Sequence, residues 1–207
     1  MIKKISEIKD QALIEQMLLS GNYGVLSLMG DKPRDRPYGV PLNYIYFENA
    51  IYFHGAPKGK KFRLLKQNPQ VSFCVVTQDT IIPSDFSTDT GLACPATSFF
   101  KSVIIEGTAQ IITDFDEIGK IFTAMMQNLQ PKGGYVPFKN EVYQKEFKGL
   151  TMVKINIEQL SAKFKFGQGL NPKRFQMLID NLQERGTKMD LLTLKAMHQY
   201  RPEKYKC

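Results

Sequence analysis

The spacing of apolar residues changes period several times along the chain, and each change marks an element. From Ser6 to Gly21, Ile8, Ala12, Met17 and Leu19 supply part of a helical stripe. This predicts a helix over residues 6–20, capped by Ser6 and ended at Gly21. Alternation then takes over and predicts strands over 23–29, 38–47 and 51–54, joined by a polar turn at 30–35 and by Glu48-Asn49. In the second strand Tyr38, Val40, Leu42, Tyr44 and Tyr46 share one face, while Asn43 and Ile45 point the other way. Pro41 cannot donate to a ladder, so it implies a bulge or an edge position there.

Residues 60–67 read as a short helix stopped by Asn68-Pro69, and 71–77 as a strand. Residues 79–98 follow neither period and are dense in turn formers, which fits either a loop covering a site or an irregular insertion. A strand over 102–113 follows, with Gly107 as a bulge. Asp114 or Thr113 then caps a helix whose stripe, Ile118, Ile121, Phe122, Met125, Met126 and Leu129, is core. After a turn-rich stretch around Lys132-Gly133-Gly134, residues 150–157 alternate as a last strand. Asn171-Pro172 opens a helix with Phe175, Leu178, Ile179 and Leu182 on its apolar side and Gly186 at its end, and a short helix over 190–199 closes the chain. Mostly antiparallel strands with peripheral helices make an α+β or small-barrel domain. Residues 1–160 form that domain, and 161–207 a helical extension packed on it or on a partner subunit.

Composition narrows the class. The 207 residues are 43% hydrophobic and 23% charged, as in an ordinary folded globule. No apolar run approaches the roughly 18 residues of a membrane helix. Met1-Ile2-Lys3-Lys4 leads into no signal-peptide core, so the expectation is a cytoplasmic protein. Cys74, Cys94 and Cys207 fit neither a disulfide framework nor a zinc pattern, and Cys74 reads as a buried thiol. With only His54 and His198, no histidine-rich metal centre is expected. The net charge of +8 suits an anionic partner without choosing one. Its tightest cluster is Lys58-Gly59-Lys60-Lys61, and a looser one runs through the last 45 residues.

That cluster sits where chemistry is expected. A strand ends in His54-Gly55, a glycine-containing turn brings in lysines, and a helix starts at once. A helix start presents unpaired N–H groups and the positive end of its dipole, which suits a phosphate, and Lys60 and Lys61 add two cations. The spacing is not that of a Walker loop. The alternative is a lysine-rich, solvated first turn.

The segment resembles the phosphate-binding strand–turn–helix of the pyridoxamine-phosphate-oxidase-like flavoproteins, through Tyr52-Phe53-His54, Lys60-Lys61 and Asn68-Pro69. Val40-Pro41-Leu42-Asn43-Tyr44 and Lys101-Ser102-Val103-Ile104-Ile105-Glu106-Gly107 are more similar to the nitroimidazole-resistance branch. The resemblance covers about residues 6–160, and Lys163 to Gln168 also resembles the end of that branch. It implies a split β-barrel with peripheral helices and a C-terminal helical tail, and a homodimer with FMN in a groove between subunits. Lys60 and Lys61, after Gly55, would hold the FMN phosphate. Asn43 and Tyr44 would line the flavin ring, and Ser102 would offer its hydroxyl to the ring edge or the phosphoribityl chain. His54 would lie beside the flavin and relay a proton, or serve only as a hydrogen-bonding neighbour. The activity implied is flavin-dependent reduction of a small molecule such as a nitroaromatic. Two alternatives stand beside it. One is a flavin-binding regulator whose basic tail meets nucleic acid, although no recognition-helix pattern is evident. The other is a barrel holding a deazaflavin, or haem with His54 as the axial ligand.

Overall fold

In a computed structural model of the chain, residues 4–32, 36–139 and 141–202 are described. Residues 33–35 of the expected turn, and Cys207 with the end of the basic tail, lie outside them. A 3-10 turn at Lys4–Ser6 leads through β1 (Glu7–Ile8) to α1 (Gln11–Ser20), β2 (Tyr23–Leu28), β3 (Tyr38–Asn43), β4 (Ile45–Phe47) and β5 (Ala50–Gly55). Then come α2 (Lys60–Gln67), β6 (Gln70–Ile82), β7 (Thr97–Ile112), α3 (Phe115–Leu129), α4 (Tyr143–Lys148), β8 (Thr151–Lys165), α5 (Pro172–Arg185) and α6 (Lys188–Tyr200). The strands order as β3-β2-β6-β7-β8-β5-β4, and β1 pairs with β8. Strand pairs β2–β3, β2–β6, β4–β5 and β5–β8 are antiparallel.

Several elements differ from the sequence-based expectation, each for a local reason. The first helix starts only at Gln11, because Glu7 and Ile8 pair with Lys163 and Ala162, and Ser6 is buried rather than capping. The expected strand over 38–47 breaks at Tyr44. Its first part pairs with β2 and its second with β5, so Tyr44, Ile45 and Tyr46 are all buried and the single-face alternation fails. Pro41 lies on β3, at the edge of the strand order, where its missing N–H costs no ladder bond. The irregular stretch is shorter than 79–98, since β6 runs on to Ile82 with Thr80 and Ile82 turned inward. β7 likewise starts at Thr97 and β8 runs to Lys165. Cys74 is half-buried, because its strand pairs it with exposed Val25 on an outward face.

The helix caps follow the sequence. Asp114 accepts from the Glu117 N–H at 2.8 Å, and Asn171 from that of Arg174 at 2.9 Å. Gly186 ends α5 in the left-handed conformation, φ 61°.

The chain divides into two compact units, one of residues 11–75 and 103–160, the other of 1–10, 76–102 and 161–207. In the first, α3 lays Ile118, Ile121, Ala124 and Met125 against Ile45, Tyr52 and Met152, whereas Leu129 at its end is exposed. In the second, the C-terminal helices meet residues 76–102. Its helix α5 bonds Ser87 through Arg174, and Phe86 through Asn181.

Within this second unit the Asp190 side chain is fully buried. It accepts from Arg185 Nε at 2.9 Å and Nη2 at 2.5 Å, from Thr80 Oγ1 at 3.0 Å, and from Thr187 Oγ1 at 2.7 Å and N at 3.1 Å. The Arg185 bonds, offset in part by burial and assisted by Thr187 and Thr80, hold the carboxyl well below the usual carboxylate range. A carboxyl depressed on folding stabilises the protein above its unfolded value near ~3.9 and stops doing so as pH falls through the folded value. Asp190→Asn is therefore expected to lower stability by about 3 kcal/mol at pH 7, with the deficit shrinking below about pH 4. Urea unfolding at pH 7 and pH 3 measures this. An equal deficit at both would show that the charge is not what matters.

Candidate functional site

The strand end that the sequence singles out is built from the core outward. β5 buries Ile51, Tyr52 and Phe53 in succession between β4 and β8, and emerges at His54 and Gly55. The chain turns through Pro57 and Gly59. Gly59 has φ 108°, a conformation that suits glycine, and it stands at the N-cap of α2. It offers no side-chain acceptor, and no acid occupies the first turn, so α2 begins with uncapped N–H groups. Phe62, Leu64 and Leu65 anchor the helix below. Asn68 stops it, accepting from the Gln70 N–H at 2.9 Å through its side chain.

The two adjacent lysines meet different rings. Lys60 Nζ lies 4.4 Å from the centre of the Tyr38 ring. Lys61 Nζ lies 5.2 Å and 5.0 Å from the centres of Phe53 and Phe62. A Cβ on Gly55 would come within 2.9 Å of that ammonium, so the missing side chain makes the space it occupies. Burial pulls Lys61 below the ordinary lysine value. Among the described residues no carboxylate lies within ion-pair distance of it.

His54 sits beside this cation with its ring 5.1 Å from that of Phe122 on α3, and remains open to solvent. Loss of water against that wall, and then repulsion from Lys61, push the imidazole below its ordinary value. Phe122 stacks in turn on Phe138 and Phe147, at 5.4 Å and 5.3 Å between ring centres. The helical stripe marked Phe122 only as core, and nothing in its spacing could have tied it to His54.

His54, Gly55 and Lys61 are thus brought together, with Lys60 on the other side of the helix start. Asn43 and Tyr44 have other occupations. Asn43 donates to the Asn22 carbonyl at 2.6 Å. Tyr44 is buried, donates to the Leu18 carbonyl at 2.8 Å and meets Phe73 edge-on at 5.2 Å. Burial pushes its hydroxyl well above the ordinary tyrosine value. Ser102 belongs to the strand segment of the other unit and is half-buried. No group of three metal-ligating side chains occurs among the described residues, and no helix there is long and apolar enough to cross a membrane.

The family model for pyridoxamine 5'-phosphate oxidase matches residues 10–164, which span this strand–turn–helix, strands β2 to β7 and β8 as far as Phe164. The chain belongs to that family. Its members are mostly flavin-dependent oxidoreductases on a split β-barrel, and the α+β fold is of this kind. No curated protein matches the chain. Among solved structures, a candidate 5-nitroimidazole antibiotic resistance protein from Bacteroides thetaiotaomicron is 18% identical with a TM-score of 0.60, over 76% of this chain and 85% of that one. The flavocytochrome Anf3 from Azotobacter vinelandii is 18% identical with a TM-score of 0.62, over 79% and 72%. An FAD- and haem-binding protein from Mycobacterium smegmatis is 14% identical with a TM-score of 0.60, over 77% and 73%. At these identities the likeness is one of fold.

This chain's own residues fit the phosphate of a flavin. The helix start is uncapped, among the described residues no carboxylate pairs with the Lys61 cation beside it, and Gly55 leaves the room a side chain would fill.

Proposed function

We infer that this protein is a flavin-dependent oxidoreductase that holds the flavin phosphate at the start of α2. FMN is the smallest flavin carrying that group. The supporting observation is the Lys61 ammonium, held against Gly55 at an uncapped helix end, with no carboxylate in ion-pair distance among the described residues. A charge-assisted hydrogen bond contributes about 1.5 to 3 kcal/mol. The helix end adds only about 0.3 to 1 kcal/mol. Lys61 therefore dominates.

The flavin would supply hydride transfer to a small acceptor, for which a nitroaromatic is the class suggested by the Bacteroides relative. His54 stands where a proton is needed. Its depressed value leaves it neutral at pH 7, so it arrives as a proton acceptor and donates only after taking one up. A dianion beside Lys61 offsets the repulsion on His54, so flavin phosphate is expected to raise the His54 pKa. With two histidines in the chain, NMR titration of a His198→Gln variant follows the His54 imidazole alone. An upward move with FMN and none with riboflavin is expected, and equal values with both would place the phosphate elsewhere.

Dimerisation belongs to the same reading. Tyr23 and Val25 on β2 are exposed, Val25 pairs with Pro41 and Cys74 on the neighbouring strands, and Ile104 on β7 is exposed as well. An apolar sheet face of this kind suits a second copy. On the family likeness alone, Asn43 keeps its proposed role beside the flavin ring, and Ser102 its role toward the ring edge or the phosphoribityl chain.

A haem-holding barrel is the second reading. It is favoured by His54, whose ring meets Phe122 and makes no side-chain hydrogen bond among the described residues, so that a ring nitrogen is left for a metal. Anaerobic reduction of the flavin-loaded protein, followed by addition of a nitroimidazole, separates the readings. Flavin bands that bleach and return only with the acceptor support the reductase. Bands that return with oxygen but never with the nitroimidazole reject that substrate class, and a Soret band on reconstitution with haem favours the second reading.

A further inference from the structure

Between the start of α3 and the end of α4, the first unit keeps a cavity of about 470 Å³ that neither His54 nor Lys61 lines. It opens directly onto the core, where Ile112, Ile118 and Phe147 are buried. Ile111, at the end of β7, and Leu150, just before β8, add two more apolar walls, and Ile111 is 38% exposed. Apolar surface left in water costs about 25 cal/mol for each Å², so an open apolar chamber is unfavourable until something fills it. Packing faults in an interior are rarely larger than a water molecule, whereas this volume is in the range of sites that take a whole small molecule.

The charge around the chamber has one sign. Lys148, at the end of α4, lines it, and among the described residues no carboxylate lies within ion-pair distance of that lysine. Among the described residues no aspartate or glutamate lines the cavity. Asp114, beside the lining residue Phe115, is engaged by the Glu117 N–H as the cap of α3. Apolar walls with a single free cation are complementary to an apolar body that carries one negative charge. A macromolecular partner fits less well. Exposed charges interrupt the lining on both sides, Asp114 and Asp116 at α3 and Lys145 and Glu146 on α4, so no broad apolar face surrounds the opening. We propose that this cavity binds a small amphiphilic carboxylate, such as a medium-length alkanoate, with its chain against Ile111, Ile112 and Phe147 and its carboxylate at Lys148. The site is separate from the flavin phosphate and does not rest on that reading.

Calorimetric titration of the full chain with hexanoate, octanoate and 1-octanol tests this, with and without saturating FMN. Octanoate is expected to bind one per chain, about fifteenfold more tightly than hexanoate, the worth of two buried methylenes. Lys148→Gln should weaken octanoate about fivefold and leave octanol within about twofold, because only the charge is lost. Ile111→Glu lies at an exposed position, which spares the fold, and should weaken both ligands, octanoate the more. Octanoate bound no better than octanol, or unaffected by either substitution, would overturn the proposal. So would its displacement by FMN, because the alkanoate would then occupy the flavin site. A change from dimer to monomer in Ile111→Glu on gel filtration would overturn it as well, since a second copy would then be what covers the cavity.

Discussion

Gly107→Ala is expected to destabilise the protein by about 3 kcal/mol or more, or to prevent its folding. A Cβ built on Gly107 lies 2.0 Å from the carbonyl oxygen of Asn156, closer than any contact a methyl group tolerates. That oxygen is backbone, so no side chain can swing aside. Nor can β8 simply retreat, because Asn156 is matched with Ala50 of β5 on its other side. β7 is fixed too, by Val103 and Ile105, both completely buried. The clash must therefore be relieved by moving a strand of the sheet. Denaturant unfolding of the alanine variant measures the loss. A change below about 1 kcal/mol would show that the two strands separate easily, and Gly107→Ser should then be tolerated as well.

The second large effect is on binding. Lys61→Ala should weaken FMN about ten- to hundred-fold, through loss of one charge-assisted contact at the helix start. Riboflavin lacks the phosphate, so its affinity should be unchanged. The comparison separates a phosphate contact from general damage to the site, which would weaken both. It also separates Lys61 from Lys60. Lys60 lies over Tyr38 on the other side, so Lys60→Ala should cost FMN less than Lys61→Ala does. An unchanged FMN affinity in Lys61→Ala would remove the phosphate from this position.

Much of this was legible in the residues, where local rules decide. Asp114, Asn171 and Gly186 mark their helix ends by cap chemistry that depends on a few neighbours. Strand, turn and helix from Ala50 to Gln67 follow from alternation, Gly59 and Asn68-Pro69. What the residues hid is what partners across the sheet impose. Glu7 and Ile8 leave the helical pattern because β8 pairs with them, 154 residues away at Ala162. Tyr44 reads as one more position in an alternating strand, yet it ends β3's pairing with β2 and turns its hydroxyl to Leu18. The same holds within the site. A basic pair, Lys60-Lys61, is visible as a cluster, but that its members part to opposite sides depends on Tyr38 and Gly55, which only the fold brings near. Phe122 came to His54 in the same way, from a stripe whose spacing spoke only of burial.

The most direct test of the flavin phosphate at α2 is retention of flavin by the purified chain. Protein reconstituted separately with FMN and with riboflavin is passed through gel filtration, and the absorption of the eluted protein is compared. The account predicts one FMN retained per chain and riboflavin largely lost. Riboflavin retained as well as FMN, or neither retained, would contradict it.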